Sequence, residues 1–178
     1  MKETQVNSKY IFRGKIVNLR LDEVRLANNN LAKREVIEHV GGVAVLAIQD
    51  NIVYLVKQFR YPYLEELLEI PAGKLESGEK PYDTALRELK EEVGIVTDKL
   101  ISLGRMYPSP GYTNEIIHLY YTSEFNLANS TPDEDEFLEV IKMPLSVVNS
   151  LIDKGEIKDA KTIISILMYE RKVLKDGK

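Results

Sequence analysis

Residues 69–95 read EIPAGKLESGEKPYDTALRELKEEVGI, and this stretch decides the fold of the chain. Pro81 suits a first helical turn, where its missing N–H would have no partner in any case. Tyr82, Ala85, Leu86, Leu89 and Val93 then recur at helical spacing and make one apolar stripe. Gly94 can take the left-handed backbone that ends a helix. The spacing therefore predicts a helix over 81–93, entered from a glycine-containing loop. On that helix Glu88 and Glu92 stand four residues apart, side by side on the flank of the stripe, with Glu91 beside them. Carboxylates this close repel one another by roughly a few tenths of a kcal/mol per pair. They also lie in the C-terminal half, where the helix dipole disfavours negative charge. A divalent cation removes that cost, and an all-oxygen donor set selects Mg2+, Mn2+ or Ca2+. An acidic helix flank can equally be a plain solvated face, and Arg87 can pair with Glu91 in either case.

The wider spacing discriminates between those readings. Gly73, five residues, Glu79, seven residues, Arg87-Glu88-Leu89, one residue, Glu91-Glu92, one residue and Gly94-Ile95 form a fixed pattern. Leaving aside the apolar Leu89 and Ile95, the other seven matches have a chance probability on the order of one in 10⁸ per start position, which excludes coincidence. The pattern is the box of the Nudix hydrolases, which this chain resembles. The resemblance implies an α/β (α+β) architecture, a Nudix α/β/α sandwich with a mixed sheet and a loop–helix–loop metal site. It assigns metal binding to Glu88, Glu92 and the carbonyl of Ala72. Glu91 would support a second metal or pair with Arg87, Glu79 would brace the loop, and Gly73 would let the backbone turn toward the site. Gly73-x₄-Gly78 also looks like the start of a P-loop, but Glu79 follows where a lysine is required.

Outward from the box, the N-terminal part is β-rich. Val17, Leu19 and Leu21 alternate as in a half-buried strand, Ala27–Asn30 supply turn chemistry, and a second extended run covers 33–40. VAVLAI (43–48) is continuously apolar, as in a strand covered on both faces, and 52–61 reads as its hairpin partner. Further strands are predicted at 100–106, 115–122 and 137–143, a short helix at 144–153, and a last helix at 159–172. On that last helix Ala160, Ile163, Ile164, Leu167 and Met168 form the expected buried face. The organisation expected is one domain, 1–178, with an N-terminal β arm (1–40) and a core (41–178).

Residues outside the box bear on the substrate. Gln58-Phe-Arg60, Glu69-Ile-Pro-Ala-Gly-Lys74 and Ser109-Pro-Gly111 with Glu115 resemble the ADP-ribose pyrophosphatase branch. That likeness implies Mg2+-dependent hydrolysis of ADP-ribose to AMP and ribose 5-phosphate, with Mn2+ as a substitute. By it, Arg60 binds phosphate, and Arg34, on the second predicted strand, reaches the substrate. Ser109, Pro110, Gly111 and Glu115 line the ribose end. In the acidic stretch 132–140 the likeness assigns the catalytic base to Glu136, with Glu134 as the alternative. NADH, a dinucleoside polyphosphate or an oxidised nucleotide remain alternative substrates, and a non-catalytic nucleotide sensor is a further reading. Adenine stacking would fall to Tyr10 or Phe12, and the β-rich arm implies a homodimer. His39 and His118 read as structural strand residues.

Composition bounds the rest. The 178 residues are 44% hydrophobic and 29% charged, ordinary for a globular chain. There is no cysteine, so disulfides, thiolate metal sites and cysteine nucleophiles are excluded, and a cytoplasmic location is expected. MKETQVNSKY carries no signal-peptide apolar stretch, and no membrane span is expected. The net charge of −4 argues against a nucleic-acid partner. It leaves a small anionic nucleotide possible, because a bound cation reverses the local sign.

Overall fold

The computed structural model describes residues 2–131 and 137–174. The chain divides into two compact units, Met1–Gly41 with Tyr107–Ile116, and Gly42–Met106 with Ile117–Lys178.

The first unit is a three-stranded antiparallel sheet of β1 (Thr4–Arg13), β2 (Asn18–Arg25) and β3 (Leu31–Glu38), in the order β1-β2-β3. β1 is absent from the sequence reading, so Arg34 lies on the third strand rather than the second. All ten residues of β1 are exposed, so it carries no burial alternation to detect. It forms because its backbone pairs with β2, from Thr4 opposite Arg25 to Arg13 opposite Asn18. Asn29, at φ 67°, makes the turn between β2 and β3. On β2 the buried residues are Asp22 and Val24, on the face opposite Leu19 and Leu21. Asp22 is held there by Arg20, whose Nε lies 2.8 Å away and which also pairs with Glu38.

The segment 107–116 belongs to this unit through β3. Ile37 donates to the Tyr112 carbonyl (2.7 Å) and accepts from Asn114 N–H (3.2 Å). The His39 N–H reaches the Asn114 side-chain oxygen at 2.8 Å.

The second unit is a mixed sheet between two helical layers. Its strands are β4 (Gly42–Gln49), β5 (Ile52–Arg60), β6 (Glu65–Glu69), β7 (Ala72–Lys74), β9 (Ile101–Met106), β10 (Ile117–Thr122) and β12 (Leu138–Pro144). The main path runs β12-β5-β4-β10-β9, with β6 on β5 and β7 on β4. Only β10 and β4 run parallel among these pairings. A separate small pair joins β8 (Ile95–Val96) to β11 (Asn126–Leu127). The helices are α1 (Pro81–Val93), α2 (Leu145–Asp153) and α3 (Ala160–Tyr169), the last continued by a π-helical turn, Glu170–Leu174.

VAVLAI is apolar throughout because the two faces of β4 feed two different cores. Ala44, Leu46 and Ile48 pack with Leu145, Val148, Ile166 and Tyr169 of α2 and α3. Val43, Val45 and Ala47 pack with Ala85, Leu89 and Val93 of α1. Asp50 and Asn51, both at positive φ, turn β4 into β5 as the hairpin reading requires. α1 spans the predicted residues, and Gly94 caps it in the left-handed region at φ 65°.

The predicted face of α3 is wrong. Its deepest residues are Thr162, Ser165, Ile166 and Tyr169, while Leu167 is exposed and Ile163 and Ile164 only partly covered. The apolar pattern was misled because Thr162 enters the core as a hydrogen-bonding residue. Its Oγ1 accepts the Ile70 N–H (2.8 Å) and donates to Asp159 Oδ2 (2.6 Å). Thr162→Val, which keeps the shape and strands the Ile70 N–H, should destabilise the chain by about 1–3 kcal/mol in urea titration. Leu167→Ala on the exposed face should stay within about 0.5 kcal/mol of the parent.

Candidate active site

α1 presents its acidic flank to the loop before it. Glu88 and Glu92 are both buried, although they are carboxylates on a helix surface. The loop makes room for them. A Cβ on Gly73 would stand 1.8 Å from Glu88 Oε1, so the carboxylate occupies the space that any other residue would fill. One turn on, Glu92 Oε2 accepts the Ala72 N–H at 2.9 Å. The two side chains thus converge on consecutive residues of β7.

Arg87 organises the remaining acids. Its Nη1 lies 2.8 Å from Glu91 Oε2 and 3.0 Å from Glu88 Oε1. Its Nε and Nη2 hold the two oxygens of Glu79 at 3.1 and 3.2 Å, and Nη2 also donates to the Lys74 carbonyl at 3.3 Å. Of the two roles expected for Glu91, the structure displays the pairing with Arg87. The hydrogen bond from Arg87 lowers the Glu79 pKa from 4.5 to about 2, against the opposing effect of burial. Arg87 is correspondingly raised above its usual value, first by that same bond.

The donors suit a hard divalent cation: two carboxylates one helical turn apart and a backbone segment that both of them touch. Among the described residues no group of three or more carboxylate or histidine side chains forms a complete cage.

Gly94 has a second role besides its φ. A Cβ there would meet the Ala128 carbonyl at 2.3 Å and the Ser130 nitrogen at 3.0 Å. The Ala128 N–H bonds the Gly94 carbonyl (2.7 Å), and the Thr131 N–H bonds the Glu91 carbonyl (3.0 Å). The chain is thereby tied to the end of α1 immediately before 132–136. Glu136 and its alternative Glu134 lie outside the described residues.

Arg60, the expected phosphate ligand, closes β5 with a two-pronged ion pair to Glu69, Nε–Oε1 2.6 Å and Nη2–Oε2 2.7 Å. The sequence reading missed this partner and the two behind it. Glu69 is 2% exposed and also takes the Lys161 ammonium, which in turn lies 2.9 Å from Asp159 Oδ1. Burial alone would raise the Glu69 pKa, but Arg60 and Lys161 outweigh it and the net shift is downward. A carboxylate immediately before Ile70-Pro71 was a visible signal. Lys161, 92 residues away, offered none.

The other expected residues fall in the first unit. Arg34 pairs with Glu3 through Nε (3.0 Å) and Nη2 (2.6 Å), with both side chains largely exposed. The Ser109 carbonyl accepts the N–H of Tyr112 and of Thr113, each at 3.2 Å, which rounds the loop holding Pro110 and Gly111. Glu115 Oε1 lies 3.2 Å from His39 Nδ1, and that same nitrogen accepts the Gly41 N–H at 3.1 Å. His39 lies just past the end of β3 rather than within a strand. His118 sits within β10, its pKa lowered by burial and then by Arg105.

Among the described residues no helix is long and apolar enough to cross a membrane. A family model described as NUDIX domain matches residues 32–165, and one described as nucleoside diphosphate sugar hydrolase N-terminal domain matches residues 3–37. The chain is similar to an ADP-ribose pyrophosphatase of Bacillus subtilis (strain 168), 41% identical over 175 residues, covering 97% of this chain and 95% of the relative. It is similar, too, to a methanol dehydrogenase activator of Bacillus methanolicus, 40% identical over 168 residues, covering 93% and 91%. A crystal structure described as an ADP compounds hydrolase shares the fold, with a TM-score of 0.87 at 21% identity over 99% of this chain and 97% of that one.

Because the folded-state pKa of Glu79 is depressed, its ion pair stabilises the protein above the ordinary carboxylate value of 4.5 and stops doing so as pH falls toward about 2. The stability difference between the parent and Glu79→Gln should be constant above about pH 5 and shrink below it, as read by denaturant melts across pH.

Proposed function

This chain belongs to the Nudix family, and from that membership we propose that it hydrolyses ADP-ribose to AMP and ribose 5-phosphate with Mg2+. The observation that carries the proposal is the convergence of Glu88 and Glu92 on Ala72 and Gly73. The substrate class is supported by the 41% identity to an ADP-ribose pyrophosphatase along nearly the whole length of both chains. Glu88, Glu92 and the Ala72 carbonyl would hold the cation, with Mn2+ able to replace Mg2+. When bound, the ion supplies charge neutralisation for the pyrophosphate and acidity for nearby water.

The chain's own residues have separable tasks in this reading. Arg60 binds phosphate with the N–H groups that Glu69 leaves unused. Arg87 and Glu79 hold the loop and helix in register, and Glu91 keeps Arg87 in place. Arg34, Ser109, Pro110, Gly111 and Glu115 contact the remainder of the substrate. Glu136 takes the proton of the attacking water as a bridging P–O bond of the pyrophosphate breaks. Stacking of the adenine falls to Tyr10 or Phe12, both exposed on β1.

Glu88→Gln and Glu92→Gln should each lower kcat on ADP-ribose by about two orders of magnitude or more while circular dichroism stays unchanged. Near-parental turnover by either variant removes it from the metal site. In the same assay Glu136→Gln should lose far more activity than Glu134→Gln, and the reverse order moves the base to Glu134. NADH and a diadenosine polyphosphate run alongside ADP-ribose decide the substrate. Faster turnover of either one replaces ADP-ribose in the proposal.

The reading also includes a homodimer. β1 exposes Val6, Tyr10, Ile11 and Phe12 on a strand with no buried residue, more apolar surface than a solvated edge strand ordinarily carries. A second copy of the chain is the proposed cover. Sedimentation at micromolar concentration should give twice the chain mass, and a monomer there overturns this part. Nucleic acid and membranes are not among the proposed partners, and cell fractionation should recover the protein in the cytoplasm.

A further inference from the structure

The charged group behind Arg60 lies outside the family box and has no task in the reaction above. β5 and β6 are antiparallel, with Val56 opposite Glu69 and Arg60 opposite Glu65, so the Arg60 side chain reaches back along the ladder to meet Glu69. Lys161 comes from the first turn of α3, 92 residues further on, and places its ammonium on Glu69 Oε2. Asp159 holds that ammonium from behind and caps α3, its Oδ2 accepting the Thr162 N–H at 2.9 Å. Thr162 in turn bonds the Ile70 N–H, next to Glu69. The start of α3 thus grips both the side chain of residue 69 and the backbone of residue 70, two residues before Ala72.

Two consequences follow from the chemistry of this group. Among the described residues Glu69 engages Arg60 through Nε and Nη2, which leaves Nη1 and the second Nη2 hydrogen available to an anion. The Arg60 side chain is 37% exposed while that of Glu69 is 2%, so a ligand reaches the pair from the arginine. Asp159 balances the second cation, so Lys161 adds no net charge to the group. What it adds is a second anchor on the Glu69 carboxylate, which fixes the face that carboxylate turns to Arg60.

We propose that Lys161 is a positioning residue for phosphate binding: acting through Glu69, it orients the Arg60 guanidinium toward the diphosphate of the substrate. This rests on the reading of Arg60 as a phosphate ligand and adds a residue from α3 to it. Lys161 itself stays behind Glu69 and acts on the ligand only through Arg60.

The test uses the full chain and ADP, whose diphosphate is common to every candidate substrate, with binding measured by calorimetry in EDTA. Lys161→Met should weaken ADP binding about tenfold, the scale of one charge-assisted hydrogen bond, and Lys161→Arg should recover most of it. Arg60→Met should weaken binding at least as much, and Lys161→Met added to it should cost nothing further. In turnover of ADP-ribose, Lys161→Met should raise KM with kcat little changed. Lys161→Gln, which keeps a donor for Glu69, supplies the reading if the Met variant melts below assay temperature. Unchanged ADP affinity in a folded Lys161 variant overturns the proposal, as does a loss that multiplies with that of Arg60→Met. A parent chain that binds ADP but leaves ADP-ribose intact overturns the substrate assignment alone. Unchanged ADP binding by Arg60→Met overturns the phosphate role of Arg60 and this inference with it.

Discussion

Glu88 and Glu92 are carboxylates held almost out of water, and a buried charge must find compensation nearby. Much of the second unit can be understood as supplying it. Arg87 sits between Glu88, Glu91 and Glu79, and the Ala72 N–H meets Glu92. Gly73 gives up its side chain so that Glu88 fits. Each of these residues contributes to holding the two acids, so the pattern 73–95 works as one unit. A helix carrying only the apolar stripe would pack as well against β4 without any of them.

A second buried carboxylate, Glu69, repeats the theme at the other end of the same loop. It is compensated by Arg60 and Lys161, with Asp159 completing the charge balance. The loop between β6 and α1 is therefore held at Ile70 by Thr162 and at Ala72 by Glu92. Both anchors are polar contacts inside a largely apolar unit. Such contacts have strict geometry, whereas apolar packing alone tolerates sliding. Their arrangement suits a backbone segment that must present a carbonyl in one orientation.

Elements with one simple period were legible in the sequence. α1 was readable because its stripe, its proline start and its glycine end agree, and β4 because a run covered on both faces is continuously apolar. β1 was not, since all of its residues face outward and backbone pairing alone forms it. The face of α3 was misread because Thr162 and Ser165 point inward and count as polar in any hydropathy pattern. In the site, Glu88, Glu91 and Glu92 were singled out by spacing and Ala72 by the family resemblance. Glu69 and Lys161 were not, because their pairing joins residues 92 positions apart.

By itself the sequence determined the family, the helix that bears the acids, and the oxygen chemistry of the site, since these depend on residue types at short, fixed separations. The tertiary structure alone decided which partners neutralise those acids and how Arg60 is aimed. It also decided that the segment 107–116 joins the N-terminal sheet through Ile37. The reason is physical: a helix period or a turn is set by neighbours along the chain, whereas a salt bridge or a strand contact is set by neighbours in space. The acidic balance shows the same division. A net charge of −4 weighed against polymeric anions, but only the placement of the charges shows acids gathered around Arg87 and cations around Glu69.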